Sequence, residues 1–133
     1  MAELECVVAT PEGPIFDGQV RSVVVPAFDG ELGIFPLHAP LVAALGCGEL
    51  RLDTASDGKQ SYYLAGGFVQ VLGGRVTVLA TEAESVGNLD AESAQKQLDE
   101  VIGRRPASGA TVDELANYGE ELSRARTKRK LAG

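Results

Sequence analysis

His38 is the only histidine of this 133-residue chain, and it is the first residue to test for acid–base or nucleophilic chemistry. Such chemistry needs a partner nucleophile, but the chain has no Gly-x-Ser-x-Gly motif. Neither Cys6 nor Cys47 lies in a motif typical of a reactive thiol. A zinc site needs several histidine or cysteine ligands, and this chain does not supply a standard set. The sequence therefore predicts neither a catalytic centre nor a metal site.

Two other segments have the composition of chemical sites. Residues 30–33 read Gly-Glu-Leu-Gly, but they lack the lysine and the following helix of a phosphate-binding loop. Glu82 and Glu84 occupy alternate positions late in a β-prone region, which indicates a solvated strand face rather than a carboxylate pair for acid–base work. We therefore expect no cofactor and no enzymatic activity from the chain itself.

Charge is distributed unevenly along the chain. Residues 1–88 carry 11 acidic and 4 basic side chains, whereas residues 89–133 carry 8 of each, and the last ten residues contain five cations and no acid. Because phosphate contact needs a basic face on the folded body, this pattern argues against a nucleic-acid partner. It favours a polar protein partner for the acidic body and an acidic partner for the basic end.

The cysteines and the N-terminal segment bear on the compartment. Two cysteines could form one disulfide, but they give no dense framework, so we expect reduced, half-buried strand thiols in a cytosolic compartment. The N-terminus runs directly into a β-prone pattern, and no stretch approaches the about 20 apolar residues that span a bilayer. We expect a chain that is neither exported by a visible signal nor embedded in lipid.

Short β-prone segments separated by turn signals fill residues 1–87. Residues 50–54 alternate between β-prone and charged side chains, as half-buried strands do. Gly66-Gly67 is expected to interrupt one strand, and no helical pattern lies between the strands, which disfavours a parallel α/β fold. This organisation predicts an N-terminal antiparallel β-sandwich, and hence a mainly β fold.

Residues 88–133 change to helical spacing. Asp90 is placed to cap a first helix, which Gly103 is expected to end in the left-handed C′ position. Thr111 begins a capping box for a second helix. The sequence thus predicts a C-terminal α appendage, an antiparallel two-helix hairpin whose narrow apolar stripes make it marginal alone.

Residues 29–41 read Asp-Gly-Glu-Leu-Gly-Ile-Phe-Pro-Leu-His-Ala-Pro-Leu, and they resemble the signature loop of the epsilon subunit of the F-type ATP synthase, the homologue of the mitochondrial delta subunit. Further segments match the family in the same order, namely residues 10–13, 16–18, 48–50, 66–71 and 76–80. The resemblance is dense over residues 3–90 and covers residues 91–133 only as a helix-loop-helix.

The resemblance implies a sandwich of about ten strands at the foot of the central stalk, where it binds the gamma subunit and the ring of c subunits. Such a subunit couples proton translocation to ATP synthesis without catalysing a reaction itself. Its hairpin can fold onto the sandwich or extend along gamma toward the catalytic alpha/beta head, and in several bacteria the extended form blocks ATP hydrolysis. The implied location is peripheral, on the cytoplasmic face of the bacterial inner membrane.

The same resemblance assigns partner-binding residues. Contact with gamma or the c ring is implied for Asp29, Glu31, His38 and Pro40. For His38 the alternative is a loop histidine whose hydrogen bonds are made with the backbone. Docking on the catalytic head is expected for the basic end, at Arg124, Arg126, Lys128 and Lys130. The alternative is that these cations only complement the helix dipole and keep the end soluble.

Two positions depart from the family pattern. Leu37 stands where the family commonly has glycine, so this turn must use ordinary dihedral angles or tolerate strain. The second departure lies where some members bind ATP. Leu89, Asp90 and Ala94 match that motif, but Ser93 replaces its arginine. Loss of the guanidinium removes the fork that would hold phosphate, so we expect weak or absent ATP binding.

The residues alone leave other classes of function open. A stand-alone β-sandwich module that binds a ligand would be a monomer with a deep apolar pocket, whereas a module that binds proteins would carry only surface patches. A small enzyme without a cofactor would need a cleft that gathers His38 with a carboxylate.

Overall fold

The computed structural model describes residues 3–133, and their contacts divide the chain into a unit that ends at Ser85 and a unit from Val86 to Gly133. The first unit is built of strands and the second of helices. This arrangement confirms the mainly β fold with a helical hairpin that the sequence predicts. The boundary expected between residues 87 and 88 falls two residues beyond the division that the contacts give.

The first unit is one sheet that closes on itself. Its strands are β1 Leu4–Thr10, β2 Gly13–Ala27, β3 Gly30–Ile34, β4 Leu41–Ala44, β5 Cys47–Thr54, β6 Gly58–Leu72 and β7 Arg75–Ser85. The order is β1-β7-β6-β5-β2-β3, and β1 also pairs with β2. Strand β3 therefore lies outside the closed ring beside β2, and β4 pairs with β6. Within residues 3–133 the pair β1–β7 is parallel, and all other strand pairs are antiparallel.

The structure has seven strands in its described part, not the about ten that the resemblance implied. Three of them, β2, β6 and β7, are 15, 15 and 11 residues long, and β2 pairs with β1 by its first half and with β3 and β5 by its second half. Long strands that change neighbours replace pairs of short ones. The expected interruption at Gly66-Gly67 was wrong, because β6 continues through both glycines and its register with β7 is the same before and after them. The two glycines take positive φ angles within the strand.

Alternation along the strands fills one core. Leu50, Leu52 and Thr54 of β5 point inward, as the sequence predicts, and Thr54 is the buried polar residue among them. Its hydroxyl donates to the carbonyl oxygen of Gly58 at 2.6 Å and accepts from the amide of Asp57 at 2.9 Å, so the turn from β5 to β6 satisfies it. Most of the remaining core consists of β-branched and leucine side chains, each worth about 1.5–3 kcal/mol when fully buried.

The second unit holds a short 3-10 turn, Val86–Asn88, then α1, Ala91–Gly103, and α2, Val112–Leu131. Both predicted N-caps are confirmed. The Asp90 carboxylate accepts from the amide of Ser93 at 3.2 Å, and the Thr111 hydroxyl accepts from the amide of Glu114 at 3.1 Å. The expected role of Gly103 was wrong, because α1 continues through Gly103 and its cap residue Arg104 has a φ of −93°, outside the left-handed region.

Few apolar side chains are buried in the hairpin. Ala94 and Val101 of α1 and Ala125 of α2 are the buried residues of the two helices. Polar contacts hold the helices together in addition. Arg104 forms an ion pair with Glu121 at 3.2 Å, and the Arg129 Nε donates to the Gln95 side-chain oxygen at 2.8 Å.

Candidate protein-interaction surfaces

The loop between β3 and β4 contains a tight turn formed by residues 35–38. The amide of His38 donates to the carbonyl oxygen of Phe35 at 3.2 Å, and Pro36 occupies the second position. Leu37 at the third position has a φ of 68°, a conformation that a type II turn normally gives to glycine. Of the two alternatives for this turn, the structure therefore shows backbone strain at Leu37, which costs a non-glycine residue about 1–2 kcal/mol. The Leu37 side chain is 95% exposed.

His38 and Pro40 follow this turn. His38 is half-buried, and its Nδ1 donates to the carbonyl oxygen of Ala39 at 2.7 Å. This contact is the backbone hydrogen bond that the alternative interpretation of His38 requires, and it leaves the other ring nitrogen for an external partner. Pro40 is exposed directly before β4.

Asp29 and Glu31 lie at the opposite end of β3. Asp29 is exposed in the turn between β2 and β3, and Glu31 is the second residue of β3. The Arg51 guanidinium grips the Glu31 carboxylate with both nitrogens, at 2.7 and 3.3 Å, and also contacts Glu49 at 3.3 Å. The hydrogen bond from Arg51 lowers the pKa of Glu31, whose side chain is exposed.

The four residues that the resemblance assigns to gamma or the c ring, Asp29, Glu31, His38 and Pro40, do not form one compact site. A strand advances about 3.4 Å per residue, so β3 places roughly 10 Å between Glu31 and Ile34, and His38 lies beyond Ile34. The structure therefore gives two separate groups, Asp29 with Glu31 and His38 with Pro40. A partner that contacts both groups must cover the length of β3.

An exposed apolar face on β4, β6 and β7 is the largest feature that sequence reasoning missed. Ala44 pairs with Phe68, and Phe68 pairs with Leu79, so these side chains form one row across three strands. Val42, Phe68, Leu72 and Leu79 on this face are between 39% and 71% exposed. We call these four residues the outer apolar face. The signal was the run Phe-Val-Gln-Val-Leu of residues 68–72, which places Phe68 and Leu72 on the outer face of the strand, where polar side chains are expected.

The basic end of α2 does not form a single cationic stripe. At 3.6 residues per turn, Arg124 and Lys128 lie on one line and Arg126 and Lys130 on another, about 200° away. Arg126 and Lys130 are exposed, and Arg124 and Lys128 are half-buried. One docking surface can therefore engage one of these pairs fully, but not all four cations at once.

The degenerate nucleotide motif at the start of α1 is occupied by helix capping. The Ser93 hydroxyl and amide both donate to one oxygen of Asp90, at 2.8 and 3.2 Å, and the hydroxyl bond is the main cause that lowers the Asp90 pKa. Ala94 is buried and Leu89 is half-buried. Asp90 thus caps the helix, and Ser93 has no guanidinium group that could bind phosphate.

An open groove of about 270 Å³ over β2, β5 and β6 is lined by mixed polar side chains that include Ser22, Asp53 and Lys59. Among residues 3–133, no cluster of three or more His, Cys, Asp or Glu side chains could hold a metal ion. In the same range, no helix is long and apolar enough to cross a membrane. The outer apolar face is a candidate protein-binding surface, because clustered exposed apolar side chains mark interaction sites.

Known proteins are similar to this chain in sequence and in fold. A family model described as the β-sandwich domain of the ATP synthase delta/epsilon chain matches residues 3–86. The chloroplastic ATP synthase epsilon chain of Tetradesmus obliquus is 35% identical over 92% of this chain and 90% of its own length. The ATP synthase epsilon chain of Alkalilimnicola ehrlichii is 31% identical over 98% of this chain and 96% of its own.

Two solved structures contain chains of the same fold. A chain in the Euglena gracilis mitochondrial ATP synthase, solved with OSCP, F1 and the c-ring, has a TM-score of 0.84 at 20% identity, and the match covers 100% of this chain and 83% of that one. A chain of the Tetrahymena thermophila mitochondrial ATP synthase, from the central stalk and c-ring, has a TM-score of 0.68 at 15% identity, with 98% and 96% covered.

Proposed function

The chain belongs to the ATP synthase delta/epsilon family, and from this membership we propose that it is a non-catalytic subunit of the central stalk. In this role it binds the gamma subunit and the c ring, and it couples proton translocation to ATP synthesis. Its place is peripheral, on the cytoplasmic face of the bacterial inner membrane. A stand-alone ligand-binding module is not favoured, because its relatives are subunits of one complex.

The outer apolar face carries the proposal for gamma. Val42, Phe68, Leu72 and Leu79 leave apolar side chains in water, although the strands beneath them already have a complete core. Aromatic and aliphatic side chains of this kind supply most of the affinity of protein interfaces. We assign this face to gamma, the partner that must stay bound while the stalk turns.

The two groups beside β3 suit the c ring. Asp29 and Glu31 present carboxylates, which can pair with basic side chains on the polar loops of the ring. His38 and Pro40 extend the same edge of the sandwich beyond β3. In this arrangement the apolar face supplies affinity, while the charged edge sets orientation.

Two serine substitutions on the outer apolar face test the assignment. In the full chain, Phe68→Ser with Leu79→Ser removes two paired, exposed side chains, so the sandwich itself should keep its fold. We expect binding to purified gamma to weaken about 30-fold or more, because two central apolar contacts are lost. Calorimetry or surface binding measures the affinity, and circular dichroism checks the fold.

A matched control uses an exposed apolar side chain elsewhere. Val112 at the start of α2 is 82% exposed, and Val112→Ser should leave gamma affinity unchanged. If the folded double variant binds gamma as tightly as the natural chain, the outer apolar face is not the gamma surface. If the natural chain itself fails to bind gamma, the central-stalk proposal is rejected.

The hairpin adds a second role, inhibition of ATP hydrolysis. The two helices bury only three apolar side chains, so the packing of the hairpin is weak, and a modest preference for the alpha/beta head would shift its position. The cations of α2 supply part of that preference, and their contribution decreases as salt screens them.

A further inference from the structure

Arg51 links two strands that are not neighbours. In the ladder from β5 through β2 to β3, Arg51 pairs with Val24, and Val24 pairs with Gly33. Arg51 nevertheless reaches diagonally across β2 to Glu31, with Nη1–Oε2 at 2.7 Å and Nη2–Oε1 at 3.3 Å. A guanidinium that holds both oxygens of a carboxylate fixes its orientation as well as its position.

The start of β3 has few other restraints. Glu31 pairs with Pro26, which has no amide hydrogen to donate to the ladder. Gly30 before it has a φ of 134°, and β3 is bonded along one edge only, by β2. The ion pair to Arg51 is therefore a cross-link that ties this end of the edge strand to the closed sheet.

Arg51 is itself held from behind. Glu49, two residues earlier on β5, accepts from Nη1 at 3.3 Å, so the guanidinium lies between two carboxylates. Together with Asp29 in the adjoining turn, the group has three acids and one base. It keeps a net negative charge after the internal pairing. The Glu31 oxygens also retain lone pairs, since a carboxylate can accept about four hydrogen bonds and Arg51 takes two.

We propose that Arg51 is a positioning residue, which holds the Glu31 carboxylate in place for a lysine or arginine side chain of the rotor partner that docks on the β3 edge. This inference rests on the proposed function. Arg51 does not itself meet the partner cation. Arg51 restricts the Glu31 side chain before the partner binds, so less conformational entropy is lost on binding. Glu49 keeps Arg51 in the required orientation.

A titration of the isolated chain tests the restraint without any partner. Arg51 of β5 is the charged group that contacts Glu31, and Glu49 contacts Arg51 in turn. Asp29 precedes Glu31 by two residues, and β2 contributes the uncharged Pro26. Carboxyl-detected NMR should find the Glu31 pKa below its ordinary value in the natural chain, because of the hydrogen bond from Arg51, and higher in Arg51→Met. An unchanged Glu31 pKa in Arg51→Met would show that the fork is absent in solution and overturn the proposal.

A double-mutant cycle on the assembled rotor tests the role in recognition. Arg51→Met and Glu31→Gln should each weaken binding of the chain to the gamma–c-ring complex by about fivefold at low salt, and the double variant should bind no worse than either. Arg51→Lys keeps the charge but loses the fork, so it should fall between Arg51→Met and the natural chain. A Lys59→Met control, which removes a cation from the same sheet, should leave the affinity unchanged.

Two outcomes separate this inference from the proposed function. Strictly additive losses, or no loss for Arg51→Met, would overturn the positioning role while the rotor assignment stands. Failure of the natural chain to bind the rotor would reject the assignment and with it the role of Arg51 in recognition. The Glu31 titration would still decide whether the ion pair exists.

Discussion

Gly67 on β6 lies so close to Leu79 on β7 that a methyl group on Gly67 would overlap the carbonyl oxygen of Leu79. Gly67 also has a φ of 103°, which side chains rarely adopt. We expect Gly67→Ala to destabilise the sandwich by at least about 3 kcal/mol, because the two central strands must separate. Chemical denaturation of the purified variant measures this loss, or the variant is recovered insoluble.

Gly73 provides the control for that substitution. Its φ is 57°, but no other atom lies within 4 Å of the place that an added methyl group would take, so Gly73→Ala should cost only about 1–2 kcal/mol. Equal losses at the two positions would mean that backbone conformation, and not the contact with β7, explains the need for Gly67.

Replacement of Leu37 by glycine should stabilise the isolated chain. Leu37 has a φ of 68° and an exposed side chain that packs against little, so Leu37→Gly removes strain worth about 1 kcal/mol. Thermal unfolding should show a higher Tm. Leu37→Ala is the control, since it removes the same side chain but keeps the penalty of the left-handed backbone. A gain for alanine equal to that for glycine would contradict the strain.

The buried thiol of Cys6 should make the fold sensitive to alkali. Burial, with a smaller effect of Asp17, raises the pKa of Cys6 to about 12 from an ordinary value of 9.0. Between these values the unfolded chain releases a proton that the folded chain retains, so unfolding becomes easier by up to about 1.4 kcal/mol per pH unit. The Cys6 contribution to the free energy of unfolding should be constant below pH 9 and fall above it.

Cys6→Ala should flatten most of that decline, whatever its effect on stability at neutral pH. A smaller decline should remain, because burial is the larger of the two causes that raise the pKa of Tyr62, and the substitution removes only the other cause, Cys6. If the natural chain and Cys6→Ala lose stability equally between pH 9 and about 11, Cys6 ionisation is not the cause.

ATP should bind this chain weakly or not at all. Asp90 is engaged by Ser93, and no arginine stands at position 93 to grip phosphate. Calorimetry with millimolar ATP should show no saturable heat. Ser93→Arg should bind ATP about tenfold or more tightly than the natural chain, because it restores a charged fork. A low-micromolar dissociation constant for the natural chain would contradict the prediction.

Removal of residues 111–133 should raise ATP hydrolysis by the membrane complex while assembly is preserved. Because Arg126 and Lys130 are exposed on one line of α2, Arg126→Ala with Lys130→Ala should reproduce part of the increase, most clearly at low ionic strength. Arg124→Ala with Lys128→Ala is the matched pair from the other line and should have less effect. Unchanged hydrolysis after the full deletion would show that the hairpin is not an inhibitor.

Local patterns in the sequence predicted the strands, the hairpin and both N-caps, because alternation, spacing and capping are properties of neighbouring residues. The interruption expected at Gly66-Gly67 was wrong, since glycine permits a break but the hydrogen bonds of β7 prevent it. Gly103 likewise permits a helix end without requiring one.

The candidate site was less accessible to prediction than the fold. Glu31 could be named from the loop that contains it, but Arg51 lies 20 residues away and meets it only through the strand order. The outer apolar face also depends on register, because Phe68 and Leu79 become neighbours only when β6 and β7 pair. Pairing between distant segments is the information that a single sequence carries most weakly.

The parallel pairing of β1 with β7 has a consequence for the synthesis of the protein. Residues 5–9 leave the ribosome about 70 residues before residues 75–79, which are their second partner. Until then β1 has an unbonded edge, and the ring cannot close. Contacts between such distant segments slow folding. A nascent chain stalled before β7 should therefore be prone to aggregation. The hairpin follows β7 in the chain, so it is translated while β7 completes the last pairing of the sandwich.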